Sequence, residues 1–328
     1  MNPWFSDDRR LRPIWRFLLG VVVAVVANFI AIVVATSIAH GRERLLEAVY
    51  RPLTMLLLLA GFALLLITAD RVCEGVMPAL GLGRFPGWRR EALLGIGIGA
   101  GLVCLAVIWI ALAGSLDVQI KLTGRTIDLA LLELMVLATG AMTEELMFRS
   151  YPFQRLLEAV GPAPAVVIMS LLFGLAHGAN PHASKLAMFN TFAIGVLLCL
   201  AYLRTRALWL PWGIHFAWNT ALGVVFGLPV SGLTDFAVIV RTRAAGPRWV
   251  TGGAYGIEGS LLGTVVMLLG FVPVILLTRR RAESKLEPAP ASQPGESTPA
   301  ATSSSDADPG NWDEPGASDQ PSAPRIQL

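Results

Sequence analysis

Glu144 and Glu145 stand side by side in a stretch that is otherwise apolar, MVLATGAMTEELMF, with Arg149 four residues beyond the second. An ionised side chain at the centre of a membrane helix costs about 2.5–3.5 kcal/mol on insertion scales, so these groups must face other polar groups or water. The i,i+4 spacing puts Glu145 and Arg149 on one helical face as an ion pair. Glu144 is rotated by about 100° and points elsewhere. On that division Arg149 holds Glu145 ionised and Glu144 is left to titrate. His177 follows Phe173 by four residues in SLLFGLAHGANP, and His215 and Asn219 share a face in LPWGIHFAWNT. Taken singly, each has a plain structural reading: a helix end, a satisfied core histidine, polar contact between helices. Taken together, a carboxylate, two imidazoles and an amide supply a base for water, donors for an oxyanion and a proton for a leaving amine, which is what peptide hydrolysis needs. Glu144, His177 and His215 are also zinc-ligand types, although no HExxH helix is present. Zinc or another divalent ion, and a metal-free route, both stay open. His182, after Asn180-Pro181, is a weaker candidate, and His40 marks only a segment boundary.

The elements that must position these groups are apolar helices. Hydrophobic residues make up 54% of the 328-residue chain and charged residues 15%, against about a quarter in a soluble domain; mean hydropathy is +0.61. A span needs about 20 apolar residues, and eight candidates follow: 17–39, 52–69, 92–114, 129–148, 164–180, 186–203, 208–226 and 260–278. The fourth alone carries Asp, Glu, Lys or Arg, namely Glu133, Glu144 and Glu145. The predicted fold is an all-α polytopic transmembrane bundle. Loops on the N-terminal side hold the larger share of the 26 Lys and Arg, which places both termini in the cytoplasm. In that topology Glu144 nears the cytoplasmic end of span four while His177 lies towards the outer end of span five. Running the fourth helix on to about residue 158 resolves the mismatch.

Residues 1–16 form a cytoplasmic N-terminus. The apolar run between Arg16 and Arg42 exceeds a signal-peptide core, so it reads as a retained anchor. Residues 17–280 form the membrane domain. The segment 149–163 is amphipathic, and either extends the fourth helix or lies along the cytoplasmic surface. The 227–258 stretch is a long external loop. The 281–328 tail, rich in Pro, Ser, Ala, Asp and Glu, cannot bury enough surface to offset its ordering entropy and reads as disordered. Cys73, Cys104 and Cys199 lie far apart and suggest packing, not a disulfide framework. A net charge of +3 gives no case for nucleic acid. Lipid is the expected surroundings and a cell membrane the expected location.

The motifs in this order resemble the CAAX protease and bacteriocin-processing family (CPBP, also Abi or type II CAAX prenyl endopeptidase-like): Glu144-Glu145-Leu-Met-Phe-Arg149, Phe173-Gly-Leu-Ala-His177 and His215-Phe-Ala-Trp-Asn219. NTFAIGVLLCLAYLRTRALWLPWGIHFAWN, the later GGAYGIEGS and the early LGLGRFPGW extend the likeness over about residues 80–278. The resemblance implies an intramembrane endopeptidase with a conical internal cavity, acting on a peptide or a protein, lipidated or not. By analogy Glu144 activates water beside His177, His215 and Asn219 stabilise the oxyanion, and Glu145 and Arg149 support them. Ser150 stands where the family commonly has Gly, and Arg206-Ala207 where it often has Gly-Ser. Two other classes predict different behaviour. A proton- or ion-coupled transporter would show an internal repeat, which is not evident, and a non-proteolytic immunity or scaffold protein would not cleave.

Overall fold

A computed structural model describes residues 11–72, 74–120, 124–234, 236 and 240–278. Twelve helices occur among them: α1 (Pro13–Ala39), α2 (Glu43–Thr68), α3 (Val76–Ala79), α4 (Trp88–Leu112), α5 (Gly124–Arg149), α6 (Tyr151–Val160), α7 (Pro162–Ala176), α8 (Lys185–Thr205), α9 (Trp209–Thr220), α10 (Arg248–Thr251), α11 (Leu261–Leu269) and α12 (Phe271–Leu277). α9 runs on as a π turn over Ala221–Val225. The all-α expectation holds apart from one antiparallel ribbon, β1 (Leu116–Ile120) with β2 (Val240–Ala244), in the register Leu116 to Ala244 and Ile120 to Val240. The predicted 281–328 tail lies outside the described residues.

Among the described residues, five helices are long and apolar enough to cross a membrane: Pro13–Ala39, Glu43–Thr68, Trp88–Leu112, Pro162–Ala179 (α7 with its closing 3-10 turn) and Lys185–Thr205. Large apolar side chains on them point outward, with Phe29 67% and Leu93 67% exposed. A continuous outer surface of that kind suits hydrocarbon and not water. The interior holds two apolar clusters. One gathers Val103, Ile110, Leu197, Ile214 and Trp218 between α4, α8 and α9; the other gathers Leu58, Phe62, Leu146, Tyr151 and Phe153 between α2, α5 and α6.

α2 begins at Glu43, well before the predicted start at 52, so Arg51, outside the predicted span, is not a loop residue. It sits within the helix. The fourth helix does not run on to residue 158. It ends at Arg149, and Ser150 (φ −93°, ψ −128°) breaks it before α6 begins. Pro152 explains the break: it has no N–H to offer the carbonyl of Phe148, and its ring clashes there. Ser150 is fully buried and its hydroxyl donates to Leu80 O at 2.8 Å. α6 is therefore a separate amphipathic helix, with Tyr151, Phe153 and Leu156 buried. Arg206, where the resemblance implies glycine, adopts the left-handed conformation (φ 53°) at the end of α8, at a cost of roughly 1–2 kcal/mol.

Glycine fixes how closely α9 approaches α4. A Cβ on Gly95 would lie 2.4 Å from Leu210 O, and one on Gly99 would lie 2.3 Å from Ile214 O. From the other side, a Cβ on Gly213 would meet Ala92 O at 2.4 Å. Small residues spaced by four let the two backbones touch. That contact sets the position of α9, and with it His215.

Candidate active site

Glu145 and Arg149 are both fully buried, and Arg149 NH1 lies 3.2 Å from Glu145 Oε1, as their spacing predicts. Arg149 also donates to Gly195 O at 3.4 Å and stacks over the Phe173 ring at 4.3 Å. The same Glu145 Oε1 receives His215 Nδ1 from α9 at 2.8 Å. Since a carboxylate only accepts, His215 Nδ1 carries the proton and Nε2 is turned the other way. It faces Glu144 Oε2 at 3.6 Å.

His177 reaches the same point from the end of α7. Its Nδ1 bonds Phe173 O at 2.9 Å, which assigns that proton to Nδ1 as well. Its Nε2 lies 3.9 Å from Glu144 Oε2. One carboxylate oxygen thus faces two imidazole nitrogens from two further elements. Phe173 sits between them, its ring 4.6 Å from His177 and 6.1 Å from His215 by centroid. Glu144, His177 and His215 keep 22%, 16% and 9% of their side-chain surface exposed, although Glu144 Oε2 itself is buried without a hydrogen-bond partner. Asn219 lines the same cavity, of about 1270 Å³, and so does His182. The structure brings together Glu144, Glu145, Arg149, His177 and His215, and Asn219 lines the same cavity. The mismatch in depth between Glu144 and His177 does not arise.

Two further charged residues bear on the site that the sequence analysis does not offer as site residues. Arg51 of α2 places NH1 3.5 Å from Glu144 Oε1, and its Nε bonds Glu47 Oε2 at 2.8 Å. Glu144 is therefore not left alone to titrate: a guanidinium holds one oxygen while the other faces the imidazoles. Glu258, in the turn before α11, also lines the cavity and accepts from Trp218 Nε1 at 3.0 Å. Burial pushes its carboxyl above the ordinary value, against the opposing pull of its Ser231 and Trp218 donors. The only sequence signal for Glu258 is its place in GGAYGIEGS.

The sequence offered Glu144, His177 and His215 as ligands for a divalent ion. Among the described residues, no group of three or more His, Cys, Asp or Glu is arranged to hold a metal. Arg51 stands against the other oxygen, Glu144 Oε1, and its fixed positive charge would oppose a dication held on the Oε2 side.

Residues 126–221 match the family model described as type II CAAX prenyl endopeptidase Rce1-like. That segment contains every candidate residue of the sequence reading, from Glu144 to Asn219, and excludes Arg51 and Glu258. No curated protein and no solved structure matches the chain.

Proposed function

We propose that the chain is a multi-pass membrane endopeptidase of the CAAX-protease kind, hydrolysing a peptide bond in a membrane-associated peptide or protein. The observation that carries this reading is Glu144 Oε2 facing two imidazole Nε2 atoms, at 3.6 and 3.9 Å, inside a cavity. Neither separation is a direct hydrogen bond, and Glu144 Oε2 is buried without a partner, so the position calls for a further polar group, which a water supplies. A water there has a carboxylate to take its proton and the lone pair of His177 Nε2 to orient it.

Arg51 anchors Glu144 Oε1, so Oε2 is the oxygen free to act as base. The water oxygen adds to the scissile carbonyl as Glu144 takes the proton. The carbonyl electrons move to an oxyanion, for which the Asn219 amide and His215 are the nearby donors. His215 serves in that role only with a proton on Nε2, and Glu145 across the ring is then its counter-charge. Collapse of the tetrahedral species breaks the C–N bond, and the proton held by Glu144 passes to the leaving amine. No step requires a metal.

The proposed topology keeps eight spans with both termini cytoplasmic. It counts α5, α9 with its π turn, and α11 with α12 besides the five long apolar helices. The function test uses two internally quenched peptides in phosphatidylcholine vesicles, one with a lipidated cysteine and one unmodified. Purified full-length protein is expected to cleave at least one of them, equally well with and without a chelator. Glu144→Ala and His177→Ala are each expected to abolish cleavage at unchanged helical content. Full activity in either variant would refute the assignment, cleavage of neither peptide would count against the activity, and loss with chelator would refute the metal-free route.

A further inference from the structure

Glu258 has a role that the proposed chemistry does not use. The residue is 7% exposed, and its carboxylate collects three donors from two directions. Trp218 Nε1 donates to Oε1 at 3.0 Å. Ser231 donates to Oε2 through its hydroxyl at 2.9 Å and through its backbone N–H. Each donor leads to one of the histidines. Trp218 lies on α9 three residues beyond His215, close to one turn and on the same side of the helix. Ser231 O accepts from Asn180 Nδ2 at 3.1 Å, and Asn180 N bonds His177 O at 3.1 Å, closing the turn at the end of α7.

The turn that carries Glu258 is itself anchored. Asn190 of α8 donates through Nδ2 to Glu258 O at 2.8 Å and to Ser260 O at 2.9 Å, and Thr264 Oγ1 donates to Asn190 Oδ1 at 2.7 Å. The loop around Ser231 is pressed between backbones on both sides. A Cβ on Gly232, which has φ 87°, would lie 2.1 Å from Pro181 O, and a Cβ on Gly256 would lie 2.5 Å from Pro229 O. Gly232 N also bonds Tyr255 O at 3.0 Å. Movement of this loop is thus transmitted to the Asn180–Pro181 turn and not absorbed.

We propose that Glu258 is a positioning residue of the proposed active site, coupling α9 and His215 to the turn that holds His177 and so setting the gap between their Nε2 atoms across Glu144. The inference rests on the protease reading for its catalytic consequence alone; the coupling itself is geometric. A carboxylate is needed because all three groups facing it are donors. A glutamine offers one oxygen, and its amide nitrogen must face either the indole N–H or the Ser231 N–H. Glu258→Gln therefore releases one of the two elements.

The test has two arms on the full-length protein. In the vesicle cleavage assay, Glu258→Gln is expected to lower kcat by about 10–100-fold with KM nearly constant, the scale of a misplacement near 1 Å. Trp218→Phe, which removes one donor only, is expected to give a smaller loss in the same direction. The pair Trp218→Phe/Glu258→Gln removes the indole donor that would oppose the glutamine NH2 while the amide oxygen still accepts from Ser231, so melting temperature is expected to recover relative to Glu258→Gln while kcat stays low. Recovery of kcat together with melting temperature would reduce Glu258 to a structural staple and overturn the proposal. The second arm needs no turnover. With ¹⁵N-labelled histidine, and lines assigned by His177→Gln and His215→Gln, Glu258→Gln is expected to shift the signals of both His177 and His215. A shift of fewer than both overturns the coupling. If the wild-type protein cleaves neither peptide, the protease reading fails and the histidine spectra still decide the proposal.

Discussion

Glu145→Gln is an unusually clean removal of charge. Both bonds to that carboxylate, from Arg149 NH1 at 3.2 Å and His215 Nδ1 at 2.8 Å, fall on Oε1. Oε2 is buried without a hydrogen-bond partner. The glutamine can keep its oxygen at the bonded position and put the amide nitrogen at the other, so both contacts survive. What is lost is the counter-charge of Arg149, whose side chain is 0% exposed. Removing one partner of a buried pair costs about 3–5 kcal/mol, because a charge is left uncompensated. Arg149→Met is expected to cost about as much from the opposite side, with loss of the Gly195 carbonyl bond and the contact with the Phe173 face added. In Glu145→Gln/Arg149→Met neither charge remains, so its cost should fall at least about 2 kcal/mol below the sum of the two single costs. The assay is reversible unfolding of the purified protein in mixed micelles titrated with SDS, followed by circular dichroism. Costs that add to within about 0.5 kcal/mol would refute the reasoning, since they would mean that the two charges do not compensate each other.

Three further outcomes are expected. Gly99→Ala places a Cβ 2.3 Å from Ile214 O; α9 must shift, with a loss of about 1–3 kcal/mol in the same unfolding titration and a fall in cleavage rate, whereas Gly97→Ala, with nothing within 4 Å of its Cβ, should do neither. Arg51→Met frees Glu144 Oε1 and is expected to lower kcat by about 10–100-fold, with Arg51→Lys between it and wild type; a wild-type kcat in Arg51→Met would remove Arg51 from the site. A cytoplasm-dependent reporter fused after residue 328 should be active if both termini are cytoplasmic, and a silent but stable fusion would refute that topology.

The candidate site was largely legible in the sequence because its residues break a strong pattern. Glu144, Glu145 and Arg149 stand out from apolar surroundings, and their i,i+4 and i,i+1 relations survive folding since they are properties of one helix. His177 and His215 were legible for the same reason. Arg51 and Glu258 were not. Each meets the site through a contact between elements far apart in the chain, Arg51 with Glu144 and Glu258 with Ser231 and Trp218, and helical periodicity carries no information about such contacts. Arg51 was further hidden by composition. The apolar run begins only at Pro52, but Glu43 to Arg51 are already helical, and Pro52 lies inside α2 without ending it.

The matching depths of Glu144 and His177 have a simple origin, and it lies in α6. Along α5, Glu144 stands about 9 Å back from Ser150, whereas His177 stands about 24 Å along α7 from Gly161, at 1.5 Å of rise per residue. If α7 returned directly from the end of α5, the two side chains would miss each other by about 15 Å. Yet they are 3.9 Å apart. The ten residues of α6 span about 15 Å, the length of the missing offset, and α6 runs along α1 from Gly20, beside Tyr151, to Arg16, beside Glu158, away from the part of α1 that lines the cavity. The sequence reading sought that offset in a longer fourth helix, and a second helix after a proline break supplies the same length with freedom of direction. On this account the length of α6 is a determinant of the site although none of its residues touches it, since each residue removed from α6 would lower His177 by about 1.5 Å relative to Glu144.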